Sequence, residues 1–141
     1  MPMDQKMENE EKKKYLKSYR DAVIAETQIK EEIDQLRMDK MFPGLVQDGM
    51  PHGSGGSDLS VYAAKLDELM SDLKDQMEKR IQLRREIVKK IEDMDSETEK
   101  AVLRYRYIHM LKWEEIAVKM HYTFRHVVRI HGEALKKFKM S

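Results

Sequence analysis

Five of the six glycines and two of the three prolines in this 141-residue chain lie between residues 42 and 57. Both residue types disfavour the interior of a helix, so a helix that enters this stretch must end there. The flanking segments, residues 4–41 and 58–94, contain neither glycine nor proline. The pattern therefore predicts two long helices joined by a Gly/Pro-rich loop at 42–57, with Ser57 or Asp58 capping the second helix.

Apolar residues recur at heptad spacing in both long segments. They are Tyr15, Tyr19, Ala22, Ile29, Ile33 and Leu36 in the first, and Leu59, Tyr62, Leu66, Leu69, Leu73, Leu83, Ile87 and Met94 in the second. Polar residues interrupt each stripe near its middle, at Glu26 in the first and at Gln76 and Arg80 in the second. The spacing predicts an antiparallel coiled-coil hairpin over residues 1–94, with a parallel dimer through the same seams as the alternative.

Composition limits the class of protein. Charged residues make up 38% of the chain and glycine and proline are scarce, which favours an all-α fold over a sheet-rich one. The chain has no cysteine, so a disulfide framework and a thiolate metal site are excluded. No apolar run approaches the ~18 residues of a membrane span, and the amino terminus is charged. We therefore expect a cytoplasmic protein with no membrane partner.

Positive charge is concentrated at the carboxyl end. The whole chain has a net charge of +1, but from Lys100 onward ten basic residues face only three acidic ones. Four of the five histidines also lie there. A segment of this kind favours a polyanionic partner, the alternative being a solvated basic surface with no ligand.

Residues 95–141 predict a small helical domain. Ser96, followed three residues later by Glu99, fits a capping box that begins its first helix. Residues 113–132 fit the spacing of a helix-turn-helix, with a last helix expected over 124–139. The residues expected to fill its core are Ile116, Ala117, Met120, Val127 and Ile130, with Tyr122 closing the turn.

Two residues of the turn have predicted backbone roles. His121 occupies the position where the backbone commonly needs a positive φ, and histidine is one of the few non-glycine residues enriched there. Thr123 is placed to cap the last helix through its hydroxyl. Gly132 falls inside that helix, where it predicts either a close backbone approach or fraying.

The early exposed residues of the last helix are the candidate readers of DNA bases, because that part of a helix-turn-helix enters the major groove. Those residues are Phe124, Arg125, His126, Val128 and Arg129. Arginine can donate two hydrogen bonds to guanine, and an apolar side chain can contact the methyl group of thymine. Contacts with the DNA phosphate backbone are expected from Lys112, Lys119, Thr123 and Lys136. Lys137 and Lys139 are expected to be further phosphate ligands.

Three runs of the chain, 101–108, 113–117 and 127–138, resemble sigma-70 region 4. The whole chain resembles small phage and prophage proteins of the ArpU type, which regulate late-gene transcription and carry a similar helical amino-terminal half and a loop like Asp48–Gly55. The resemblance implies a sigma-region-4-like helix-turn-helix that binds promoter DNA in a bacterial host cell, with Arg125, His126 and Arg129 at base-reading positions. Met110 stands where that family usually has glycine.

Two other functions remain open at this point. One is a small terminase-like subunit for DNA packaging, and the other is a sigma mimic that binds RNA polymerase. His121, His126 and His131 are five residues apart, which turns each one ~140° from the last on a helix and disfavours a metal site. We expect no enzyme activity, metal or cofactor. The expected partners are double-stranded DNA, RNA polymerase and a second copy of the chain through the coiled coil.

Overall fold

The computed structural model describes residues 3–42 and 55–141, and all regular structure within them is helical. The helices are α1 (Met3–Met41), α2 (Gly55–Glu92), α3 (Glu97–Leu103), a π-helical turn (Arg104–Ile108), α4 (Trp113–Met120) and α5 (Phe124–Lys137). α1 and α2 form a long antiparallel hairpin, and the later helices form a small carboxyl-terminal unit. The predicted all-α fold with a helical hairpin is confirmed.

The predicted loop at 42–57 lies mostly outside the described residues. Within them, α2 begins at Gly55, so the prediction that Ser57 or Asp58 caps it is wrong. Glycine costs only about 1 kcal/mol in a helix and does not forbid one. Asp58 falls in the first turn, where the helix dipole favours a carboxylate. No helix in the described part of the chain is long and apolar enough to cross a membrane.

The structure comprises two compact units. One contains Met1–Asp21 and Arg80–Ser141, and the other contains Ala22–Lys79. The carboxyl-terminal helices therefore share one unit with the first part of α1 and the last part of α2.

In the Ala22–Lys79 unit, the predicted seam has a polar layer. Ala22 and Ile33 are buried, and so is Glu26, whose carboxylate lies 3.9 Å from the ammonium of Lys30. The amide of Gln76 donates to the carbonyl of Ala22 across the hairpin at 3.5 Å. Polar groups inside an apolar seam favour a single pairing register at a cost in stability.

Leu59 departs from the predicted seam, because its side chain is 55% exposed. The ammonium of Lys40 lies 5.7 Å from the Tyr62 ring. Leu59 is three residues before Tyr62, and α1 and α2 are antiparallel, so Leu59 lies at the level where α1 ends. The partner helix ends at Met41, and the seam ends with it.

In the unit of Met1–Asp21 and Arg80–Ser141, α5 is two residues shorter than the helix predicted over 124–139. The backbone of Phe138 is extended, at φ −65° and ψ 132°, and its side chain is only 1% exposed. The Phe138 ring lies 6.3 Å from the Tyr15 ring of α1, centroid to centroid. The helix ends at Lys137 because Phe138 turns away to bury its ring.

Lys12 links α1 to the end of α5. Its buried ammonium donates to the carbonyl oxygens of Leu135 at 2.8 Å and Lys136 at 3.4 Å. The last carbonyls of a helix have no partner within the helix and carry partial negative charge, so a cation there is stabilising. Lys12 therefore caps α5 from a position more than 120 residues earlier in the chain.

We expect Lys12→Met to lower the free energy of unfolding by about 1.5 to 3 kcal/mol, because charge-assisted hydrogen bonds to buried carbonyls are lost. Urea unfolding followed by circular dichroism measures the change. Lys14→Met is the matched control, since Lys14 is exposed and its loss should change stability by less than about 0.5 kcal/mol. Equal stability of the two variants would contradict the capping role.

Candidate nucleic-acid interface

The predicted capping box at the start of α3 is half formed, because Ser96 caps the helix but the Glu99 side chain does not bind the Ser96 backbone N–H. The Ser96 hydroxyl accepts a hydrogen bond from the Glu99 backbone N–H at 3.2 Å. The Glu99 carboxylate binds the Lys137 ammonium of α5 at 2.9 Å. This hydrogen bond raises the pKa of Lys137. Glu99 therefore ties α3 to α5, and the predicted phosphate ligand Lys137 has a carboxylate partner within the protein.

A small apolar core lies beneath the helix-turn-helix. Val102, Ile116 and Val127 are fully buried and Ala117 is nearly so. Half-buried side chains pack around them, namely Tyr105, Leu111, Trp113, Met120 and Ile130. The predicted core positions on α4 and α5 are thus all in the core, with Met120 and Ile130 at its edge.

The turn between α4 and α5 has the predicted backbone geometry. His121 is left-handed, at φ 58° and ψ 39°, and the Thr123 hydroxyl accepts from the His126 backbone N–H at 3.1 Å. Tyr122, predicted to close the turn, is 39% exposed, and its ring stands edge-on against the His126 ring. Met110 is also left-handed, at φ 56°, which costs a non-glycine residue about 1 kcal/mol.

α5 presents one face to the core and the opposite face outward. Val127, His131, Ala134 and Leu135 form the buried face. Phe124, in the first turn of α5, is 48% exposed, and Val128 is 40% exposed. Arg125 and Arg129 are exposed, and His126 is half-buried. The predicted base readers therefore begin an accessible helical surface.

Gly132 has neither of its predicted roles. A Cβ atom placed on it would meet nothing within 4 Å, so the predicted close backbone approach is wrong. The helix continues five residues beyond it to Lys137, so the predicted fraying is wrong as well.

The predicted phosphate ligands are also exposed. Lys112 is exposed just before α4, and its backbone N–H donates to the Glu115 carboxylate at 3.1 Å. Lys119 is exposed on α4, and the Lys136 ammonium lies 3.3 Å from the Glu133 carboxylate. With Thr123, all nine predicted site residues lie in or beside the helix-turn-helix, and none is buried.

The leading end of α5 is electropositive. Its first turn contains no acidic residue, and its ion pairs lie in its later turns, at Lys136 and Lys137. In the described part of the chain, neither Arg125 nor Arg129 has a carboxylate within 4.0 Å. Their charges are therefore available to an external anion.

A buried polar pair holds the inner face of α5. His131 is 6% exposed, and its Nε2 lies 2.7 Å from the hydroxyl of Tyr107. The Trp113 ring stands edge-on against His131 at 4.6 Å. Burial lowers the pKa of His131 to about 4, helped by the charges of Lys13, Arg106 and Lys17.

The tautomer of His131 follows from its partner. Burial raises the pKa of Tyr107 to about 12, so the phenol keeps its proton and donates it to Nε2 of a neutral imidazole. His131 is thus part of the core and not a base reader. Periodicity alone did not reveal this pair. Within residues 3–42 and 55–141, no three His, Asp or Glu side chains group to hold a metal ion.

No protein family matches the chain, and no curated protein or solved structure is significantly similar to it.

Proposed function

We propose that this chain is a sequence-specific double-stranded DNA-binding protein that regulates transcription, with the leading end of α5 entering the major groove. One observation carries the proposal. Phe124, Arg125, Val128 and Arg129 are exposed on α5, while Val127 beneath them is fully buried. A helix held in this way can present its outer side chains to a duplex without rearrangement.

The side chains on this surface suit distinct contacts. The guanidinium groups of Arg125 and Arg129 match the O6 and N7 acceptors of guanine, and Phe124 and Val128 match the thymine methyl group. Lys112, Lys119 and Lys136 supply charges for phosphates, which contribute affinity without sequence preference. The Thr123 side chain already accepts from His126, and its position at the amino end of α5 suits a phosphate contact.

The biological setting proposed is a promoter of a phage or prophage. It rests on the resemblance of runs 101–108, 113–117 and 127–138 to sigma-70 region 4, which also makes RNA polymerase a proposed partner. The α1 and α2 seams already face each other within one chain. Self-association of the protein would therefore use a different surface.

Binding of the full chain to genomic DNA fragments over a salt series, followed by footprinting, tests the proposal. We expect Arg125→Ala and Arg129→Ala each to relax base preference by about 1 to 3 kcal/mol. Lys136→Ala should weaken binding to all sequences equally and lower the salt slope by about 1. Lys65→Ala, on the Ala22–Lys79 unit, is the control and should change neither quantity.

Two outcomes would overturn the proposal. One is the absence of salt-dependent binding to any fragment. The other is binding whose base preference is unchanged in both arginine variants, which would remove α5 from the role of reading helix.

A further inference from the structure

Two of the proposed base readers are bonded to each other. Nη2 of Arg129 lies 2.8 Å from Nδ1 of His126, one helical turn earlier on α5. A guanidinium has only donors, so Nδ1 must accept this hydrogen bond. The His126 imidazole is therefore neutral and carries its proton on Nε2.

The turn before α5 supports the His126 ring. The Tyr122 ring stands perpendicular to it, with centroids 4.6 Å apart and an interplanar angle of 86°. The Tyr122 backbone N–H donates to the Ala117 carbonyl at 3.0 Å, which fixes the Tyr122 backbone to the end of α4. The His126 backbone is fixed as well, through the Thr123 cap. A continuous row of contacts thus runs from the turn through His126 to the guanidinium of Arg129.

We propose that Tyr122 and His126 are positioning residues that hold the Arg129 guanidinium in one orientation, so that Arg129 selects guanine in the major groove. The inference rests on the proposed function. An arginine side chain has many rotamers, and fixing it before DNA binds reduces the entropy lost in the complex. The bond to His126 uses one of five guanidinium N–H groups and leaves four, enough for O6 and N7 of a guanine.

Arg125 provides an internal comparison. It is exposed on the same helix and, within the described residues, has no hydrogen-bonded side-chain partner. Its guanidinium is not held in advance, so Arg125 is expected to discriminate among bases less sharply than Arg129.

Three variants separate the hydrogen bond from the packing. His126→Phe keeps a ring for Tyr122 but removes the acceptor. His126→Asn places an amide oxygen close to the position of Nδ1 and so restores an acceptor without the ring. Tyr122→Phe keeps the edge-on ring and removes only the hydroxyl, and Lys65→Ala, on the Ala22–Lys79 unit, is the control. Circular dichroism establishes that each variant folds.

The experiment selects bound sequences from a random double-stranded DNA library with the full chain and each variant. It then compares duplexes carrying guanine, 7-deazaguanine or adenine at the preferred position. For the unsubstituted chain we expect binding affinity to fall about tenfold when 7-deazaguanine, which lacks the N7 acceptor, replaces guanine. His126→Phe should reduce the preference for guanine about five- to tenfold. His126→Asn and Tyr122→Phe should retain most of the preference.

The outcomes keep the two proposals apart. If the unsubstituted chain selects no sequence, the proposed function fails and the inference fails with it. If the chain selects guanine through Arg129 and His126→Phe keeps that preference within about twofold, only the inference is overturned. An equal loss of guanine preference in His126→Phe and His126→Asn would also overturn the inference, because the hydrogen-bond acceptor would not then be the cause of that preference.

Discussion

Replacing Phe138 by alanine is expected to lower the free energy of unfolding by about 3 to 5 kcal/mol. The Phe138 side chain is 1% exposed and its ring lies against Tyr15 of α1. Removing it takes away buried apolar area and leaves a cavity where α5 ends, and neither loss can be recovered by solvent. Chemical unfolding followed by the fluorescence of Trp113, the only tryptophan, measures the change.

Phe124→Ala is the matched control for Phe138→Ala. Phe124 is 48% exposed at the start of α5, so its removal should change stability by less than about 1 kcal/mol. Under the proposed function, it should instead weaken DNA binding at thymine-containing sites. Equal destabilisation by the two variants would show that Phe138 does not hold the end of α5 against α1.

Acid is expected to destabilise the protein through His131. The folded-state pKa is lowered to about 4 from an ordinary value of 6.5. As pH falls below 6.5, the unfolded chain binds a proton at this histidine while the folded chain does not. Stability from this group is complete above pH 6.5 and is lost by pH 4. The difference between a pKa of 6.5 and one of about 4 corresponds to a loss of about 3 kcal/mol.

Unfolding free energies at pH 7 and pH 4.5 test the His131 prediction. The double variant Tyr107→Phe with His131→Phe removes the titrating group together with its hydrogen-bond partner, so no polar group is left buried alone. Lys13, Lys17 and Arg106, the cations that disfavour the charged imidazole, remain in place. Other groups contribute equally to both proteins, and the double variant should lose about 2 to 3 kcal/mol less on acidification. Identical losses would contradict the assignment.

Local sequence patterns predicted α4, α5 and the turn between them well. The spacing of Ile116, Ala117 and Val127 identified their core, because helical periodicity fixes which residues share a face. The positive φ of His121 and the Thr123 cap follow from the chemistry of single residues in a short turn. The exposure of Arg125 and Arg129 follows in turn from the burial of Val127, because both lie well away from its side of the helix.

Contacts between distant segments were not predictable. A single sequence shows which face of each helix is apolar, but not which polar group from another helix will meet it. Lys12 caps α5, and Glu99 binds Lys137 rather than completing its capping box. Similarly, the spacing of His126 and Arg129 permits a hydrogen bond on a helix but does not require one.

The central claim is that the outer face of α5 contacts bases in the major groove. Methylation of bound DNA by dimethyl sulfate tests it most directly, because the reagent attacks guanine N7 in the major groove and adenine N3 in the minor groove. We predict that the protein protects guanine N7 at its selected site, that Arg129→Ala removes this protection, and that adenine N3 stays reactive. Protection confined to adenine N3, or no protection at a site the protein occupies, would contradict the account.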